Sequence, residues 1–207
     1  MKPLIRGYIH QVAFFIALGA CVMLIAQSQG TRALISNIIY SLTLIGMFGV
    51  SALYHRPMWS RRNYLLMRSI DHASIYAYIA GSATPICLLG LNEVLGWRLL
   101  FIIWTIATIG MFFAIFWTQG PKWIRACLYI AVGWFAIPYL SEIRSSLGAA
   151  DTDLLLIGGI IYTVGALVYA IKRPNPFPRV FGYHEIFHIL VVIASVLYFK
   201  VIYFLTT

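Results

Sequence analysis

The chain has 207 residues, of which 61% are hydrophobic, 15% aromatic and only 10% charged. A soluble domain carries about 25% charged residues, so a water-soluble enzyme is excluded, and the aromatic content excludes a disordered tail. The formal net charge of +9 needs an explanation of its own.

Seven continuous apolar runs follow in chain order: Tyr8–Gln27, Arg32–Tyr54, Asp71–Leu91, Trp97–Trp117, Trp123–Glu142, Asp153–Ile171 and Tyr183–Leu205. Breaks fall at Gln27-Ser28-Gln29-Gly30, Arg56-Pro57, Asn92-Glu93, Gly120-Pro121, Ser145-Ser146 and Pro174-Asn175-Pro176. The runs do not alternate in polarity, so they predict helices rather than a β-barrel. A spanning helix takes roughly 20 apolar residues, so seven take roughly 140 and leave short loops. The expectation is one all-α membrane domain over 1–207. Leu18-Gly19-Ala20-Cys21 resembles a lipoprotein processing site, but the apolar run continues past it, so the first run is read as a retained helix. Pro85 and Pro138 are expected to kink their helices. Cys21, Cys87 and Cys127 lie in apolar runs without CxxC spacing and read as small core residues.

The basic residues orient the chain. With a cytoplasmic N-terminus, the inside segments hold Lys2, Arg6, Arg56, Arg61, Arg62, Arg68, Lys122, Arg125, Lys172, Arg173 and Arg179, while the outside loops hold only Arg32, Arg98 and Arg144. Lys200 snorkels near the outer end of the last helix. Such a bias in short loops sets orientation and places the C-terminus outside. It also answers the charge question: the basic residues are topological, and no nucleic-acid motif accompanies them.

Two acids and five histidines break the pattern. Glu93, Glu142, Asp151 and Asp153 fall in outside loops, but Asp71 and Glu185 open the third and seventh runs. His10, His55, His72, His184 and His188 all lie toward the cytoplasmic side, where ionisable groups at membrane depth are functional hypotheses. His184 and His188 are one turn apart on one helix face. Two imidazoles so placed can share a metal, and His55 can supply a third nitrogen. Three histidines with an open position suit a catalytic zinc, which lowers the pKa of bound water to about 7. Asp71 can hold or deprotonate that water, and Ser51, one turn before His55, can orient it. Blander readings stand beside these. Asp71 can cap its helix, and Ser51 can bond its own backbone. His72 reads as packing or support, and His10 as interfacial. Glu185 reads as interfacial or paired with a cytoplasmic arginine.

Three motifs together make the pattern specific: Ser51-Ala-Leu-Tyr-His55, Arg68-Ser-Ile-Asp71-His72 running on to Pro85, and His184-Glu-Ile-Phe-His188. They resemble the hemolysin III family, the bacterial branch of the progestin and adiponectin receptor family. The resemblance covers essentially the whole chain. It implies seven helices with the N-terminus inside, and a zinc ion held by His55, His184 and His188 with Asp71 and Ser51 at its edge. It also implies a bacterial inner membrane and a link to ceramidase-like hydrolysis of lipid amides, with membrane lipid as the partner. Two alternatives remain: a non-enzymatic sensor or regulator of membrane state with structural zinc, and a pore-forming haemolysin. The pore is poorly supported, because the ionisable groups gather at one end and form no path across a bilayer. A haem protein is disfavoured by the absence of CxxCH.

Overall fold

A computed structural model describes residues 3–117 and 120–206; Lys2, counted above among the orienting charges, lies outside them. The described residues form helices α1 (Tyr8–Ala26), α2 (Gly30–His55), α3 (Arg61–Leu89), α4 (Glu93–Phe116), α5 (Lys122–Gly133), a 3-10 turn (Ile137–Tyr139), α6 (Leu140–Leu147), α7 (Ala149–Ile171) and α8 (Tyr183–Thr206). No strand occurs among them.

Among the described residues, six stretches are long and apolar enough to cross a membrane: α1, α2, α4, the broken Lys122–Leu147 stretch, α7 and α8. The exception is α3. It has 29 residues, about 43 Å at 1.5 Å per residue, so length is not what excludes it. It touches α2, α4, α5 and α8, and none of residues 71–90 is exposed. Its buried positions include Ser69, His72, Tyr76, Tyr78, Ser82 and Thr84. A helix surrounded by protein need not match lipid, so its sequence is free to carry polar groups.

The same fact corrects the third predicted element. Asp71 does not open the helix and does not cap it: α3 starts nearly three turns earlier, where Ser60 accepts a hydrogen bond from the Asn63 N–H at 3.4 Å. Arg61, Arg62 and Arg68 are charged but helix-compatible, and hydropathy cannot see a helix that continues through them. Likewise α4 begins four residues before Trp97, where Asn92 accepts from the Leu95 N–H at 3.0 Å. The fifth predicted helix is divided. After Gly133 the chain turns, Pro138 sits in the 3-10 turn, and α6 carries on to Leu147, past Glu142. Proline has no N–H for the helical ladder, and here the ladder gives way. At Pro85 it does not; α3 runs through to Leu89.

α2 packs on α3, α3 on α4, α5 on α7, and α7 on α8. α1 closes the arrangement by touching both α2 and α8. Leu24, Tyr40, Leu44, Phe48, Val191 and Ile202 form one apolar core; Ala80, Leu99, Ile103, Ala107 and Val132 form the other. Phe15, Ile16, Val22, Phe101, Phe112 and Phe116 point outward and are exposed, as lipid-facing positions would be. Cys21 and Cys87 are buried, but Cys127 is exposed on α5. Its expected core placement is corrected, because apolar runs do not reveal which helix face turns inward.

Candidate metal centre

Two elements far apart in sequence converge at one end of the bundle. His55 is the last residue of α2. His184 and His188 occupy one face of the opening turns of α8. All three are buried, and one nitrogen from each lies within 4.8 Å of the others. The Nε2 atoms of His55 and His184 are 3.1 Å apart. Two nitrogens on one tetrahedral zinc stand roughly 3.3 Å apart, given Zn–N bonds of 2.0–2.1 Å. The spacing and the donor set therefore fit a small divalent metal.

The backbone makes room for this. Gly7 precedes α1 with φ +85°, a left-handed conformation that glycine adopts freely. A Cβ there would stand 2.9 Å from the His55 Cβ. The N-terminal segment crosses to the α7–α8 connection, with the Leu4 N–H donating to the Arg179 carbonyl at 3.1 Å. Arg6 then pairs with the fully buried Glu185 at 2.7 Å, and Glu185 also accepts from the Gly182 N–H at 2.9 Å. Of the two expectations for Glu185, pairing with an arginine is what occurs; it is not interfacial.

Ser51 is buried one turn before His55, with its hydroxyl turned to the half-buried Asp71 carboxyl. Both line the same cavity as the three histidines. Asp71 is not in the tight nitrogen cluster; it stands on the cavity wall. His72 lines that cavity too, and its backbone carbonyl accepts from the Tyr129 hydroxyl at 3.3 Å. The cavity has a volume of about 550 Å³, within the range of about 300–1,000 Å³ for small-molecule sites. Beyond the histidines its wall is mainly apolar, with Ile79, Ile86, Leu99, Ile103 and Leu155.

Sequence reasoning missed two features. His10 is not interfacial: it is buried and lies face to face on His188, with ring centroids 3.8 Å apart. Lys122, counted only as a topological charge, donates to the Tyr183 hydroxyl at 3.0 Å and lies over the Tyr169 ring at 4.6 Å. Tyr169 and Tyr183 in turn flank His184. Depth along the chain was the signal for both; which way each side chain turns was not legible.

A family model described as haemolysin-III related matches residues 1–199. The chain is 32% identical over 198 residues to "Hemolysin-3" of Bacillus cereus, a match covering 94% of this chain and 87% of that protein. It is 31% identical over 198 residues to "Hemolysin-3 homolog" of Bacillus subtilis (strain 168), covering 94% and 90%. A human protein, "Monocyte to macrophage differentiation factor", is 23% identical over 205 residues, covering 95% and 81%.

Proposed function

This chain belongs to the haemolysin-III related family, and from that premise we propose a seven-span membrane hydrolase of lipid amides with a zinc centre at His55, His184 and His188. In this reading α3 and the broken Lys122–Leu147 stretch each complete a span. The N-terminus faces the cytoplasm, the C-terminus faces outward, and the membrane is a bacterial inner membrane. The placement of Arg6, Arg56 and Lys122 at the histidine end supports that orientation.

The observation that carries the proposal is where the histidines sit. They form part of the wall of a deep, mostly apolar cavity together with one carboxyl and one hydroxyl. A lipid amide suits such a space: its chain lies along Ile79, Ile86 and Leu99, and its polar head meets the histidine end. Zinc, when bound, supplies Lewis acidity for a carbonyl group and for water. His55, His184 and His188 hold it through neutral nitrogens. Asp71, free of any ligating task, takes the proton from the attacking water and returns it to the leaving amine. Ser51 orients the Asp71 carboxyl through its hydroxyl.

A second reading has one observation in its favour. The histidines join α2 to α8, far apart in sequence, so zinc could act as a clamp in a sensor of membrane state. One experiment separates the two. Detergent-purified wild type, His184→Ala and Asp71→Asn are analysed for metal content and for hydrolysis of ceramide and related lipid amides. The hydrolase reading expects about one zinc per chain in wild type and Asp71→Asn, none in His184→Ala, and turnover only in wild type. Zinc without turnover on any lipid amide favours the clamp. No metal in wild type after zinc resupply overturns both.

A further inference from the structure

His188 lacks the support a metal-binding histidine usually has. The ring of such a residue is ordinarily fixed by a hydrogen bond from its second nitrogen to a carboxylate, a carbonyl or water. That bond matters because the χ2 torsion of histidine is broad and does not fix the ring plane by itself. The His188 Nδ1 has no hydrogen-bond partner among the described residues, nor has the His184 Nδ1. What surrounds these rings is other rings. His184 meets Tyr169, Tyr183 and Phe187, with centroids 5.6, 6.0 and 6.0 Å away. His188 has His10 stacked on it at 3.8 Å with the planes only 9° apart.

His10 could serve as a fourth ligand or as a support, and the geometry decides between them. The lone pair of an imidazole nitrogen lies in the ring plane. Two rings 3.8 Å apart and only 9° from parallel have planes that meet far beyond the reach of a metal–nitrogen bond, so no single ion within that reach lies in both. His10 is therefore not a co-ligand of the ion held by His188. Hydrogen bonding is at most a minor part of it: neither ring nitrogen makes a hydrogen bond of good geometry among the described residues, although the His188 backbone lies near its ring. Its contacts are ring contacts, with His188 on its face and Phe48 at 5.1 Å in an edge arrangement.

We propose that His10 is a positioning residue of the metal centre: its ring, stacked on His188, replaces the missing hydrogen bond and holds the His188 nitrogen aimed at the metal. The proposal rests on the metal reading above. α1, which contributes no ligand, thereby becomes part of the site. A flat ring is the property required at position 10; a polar nitrogen is not.

The test uses the full chain in detergent, stripped by chelator and reloaded with cobalt(II), whose visible absorption reports ligand geometry. Three variants are compared with wild type. His10→Leu fills the space without a flat ring, His10→Phe keeps the ring without nitrogens, and His10→Gln keeps a polar group without the ring. Metal-free melting of each variant checks that the bundle is intact. The proposal expects His10→Leu and His10→Gln to bind cobalt about ten-fold or more weakly, the usual scale for losing a supporting contact, with an altered spectrum. It expects His10→Phe to restore both affinity and spectrum. Wild-type behaviour in His10→Leu overturns it, as does rescue by Gln but not by Phe. A wild-type chain that takes up neither cobalt nor zinc overturns the metal centre itself, and the support role with it.

Discussion

Two polar clusters line the same cavity and are built on opposite principles. At the histidine end, His10, His184 and His188 are buried, and each has at least one ring nitrogen without a hydrogen-bond partner among the described residues. Two helical turns deeper, about 10 Å at 1.5 Å per residue, lies the second cluster. There the Tyr162 and Tyr78 hydroxyls are 2.9 Å apart, Tyr162 and Ser195 are 2.8 Å apart, and Ser195 donates to the Val191 carbonyl. Those hydroxyls satisfy one another across α3, α7 and α8. Such bonds glue helices, at a modest average of about 0.6 kcal/mol each. Buried nitrogens without a partner cost stability unless other contacts compensate. The difference teaches that polarity inside a membrane bundle is not one signal: the hydroxyl cluster closes on itself, while the histidine cluster, proposed above as the metal centre, leaves ring nitrogens unpaired.

Substitutions test that contrast. The largest effect is expected at the ligands: His184→Ala or His188→Ala lowers metal content from about one per chain to background in elemental analysis. Retention of full metal by either variant would erase the distinction between the clusters. Next comes the tie that frames the open cluster. Arg6→Ala leaves the Glu185 carboxylate buried without its cation, which costs about 3–5 kcal/mol and is read as a large drop in melting temperature in detergent. Asp71→Asn is expected to keep the metal and lower lipid-amide turnover by about 100-fold or more, the lower end for losing a general base. An equally active variant removes the base role of Asp71. The smallest effect belongs to the closed cluster. Tyr162→Phe removes two such bonds and should cost about 1.2 kcal/mol of stability and leave metal content unchanged; a loss of metal there would show that the clusters are coupled.

Much of this was legible in the residues, for identifiable reasons. The apolar runs marked the long helices, because in lipid every backbone polar group must be satisfied within the segment. They mislocated the start of α3, where Arg61, Arg62 and Arg68 extend a helix that hydropathy cannot follow. The expected kink at Pro138 falls where the helix breaks between Gly133 and Leu140; that the ladder holds at Pro85 instead depends on local packing, not on composition. The i, i+4 spacing of His184 and His188 put them on one face at sight. The approach of His55 to them was an inference from depth, and the structure brings the three together.

By itself the sequence determined the all-helical membrane class, the family and the residue types gathered at one end, because hydropathy, helical period and motif order are properties of the chain read in line. Only the tertiary structure decided which side chains face one another. It set α3 among α2, α4, α5 and α8, paired Arg6 with Glu185, turned Cys127 outward and laid His10 flat on His188. Those outcomes depend on the rotation of each helix about its axis, which is set by packing against neighbours far away in sequence. A residue's depth can be counted along a helix, but its facing is settled only when the whole bundle closes around it.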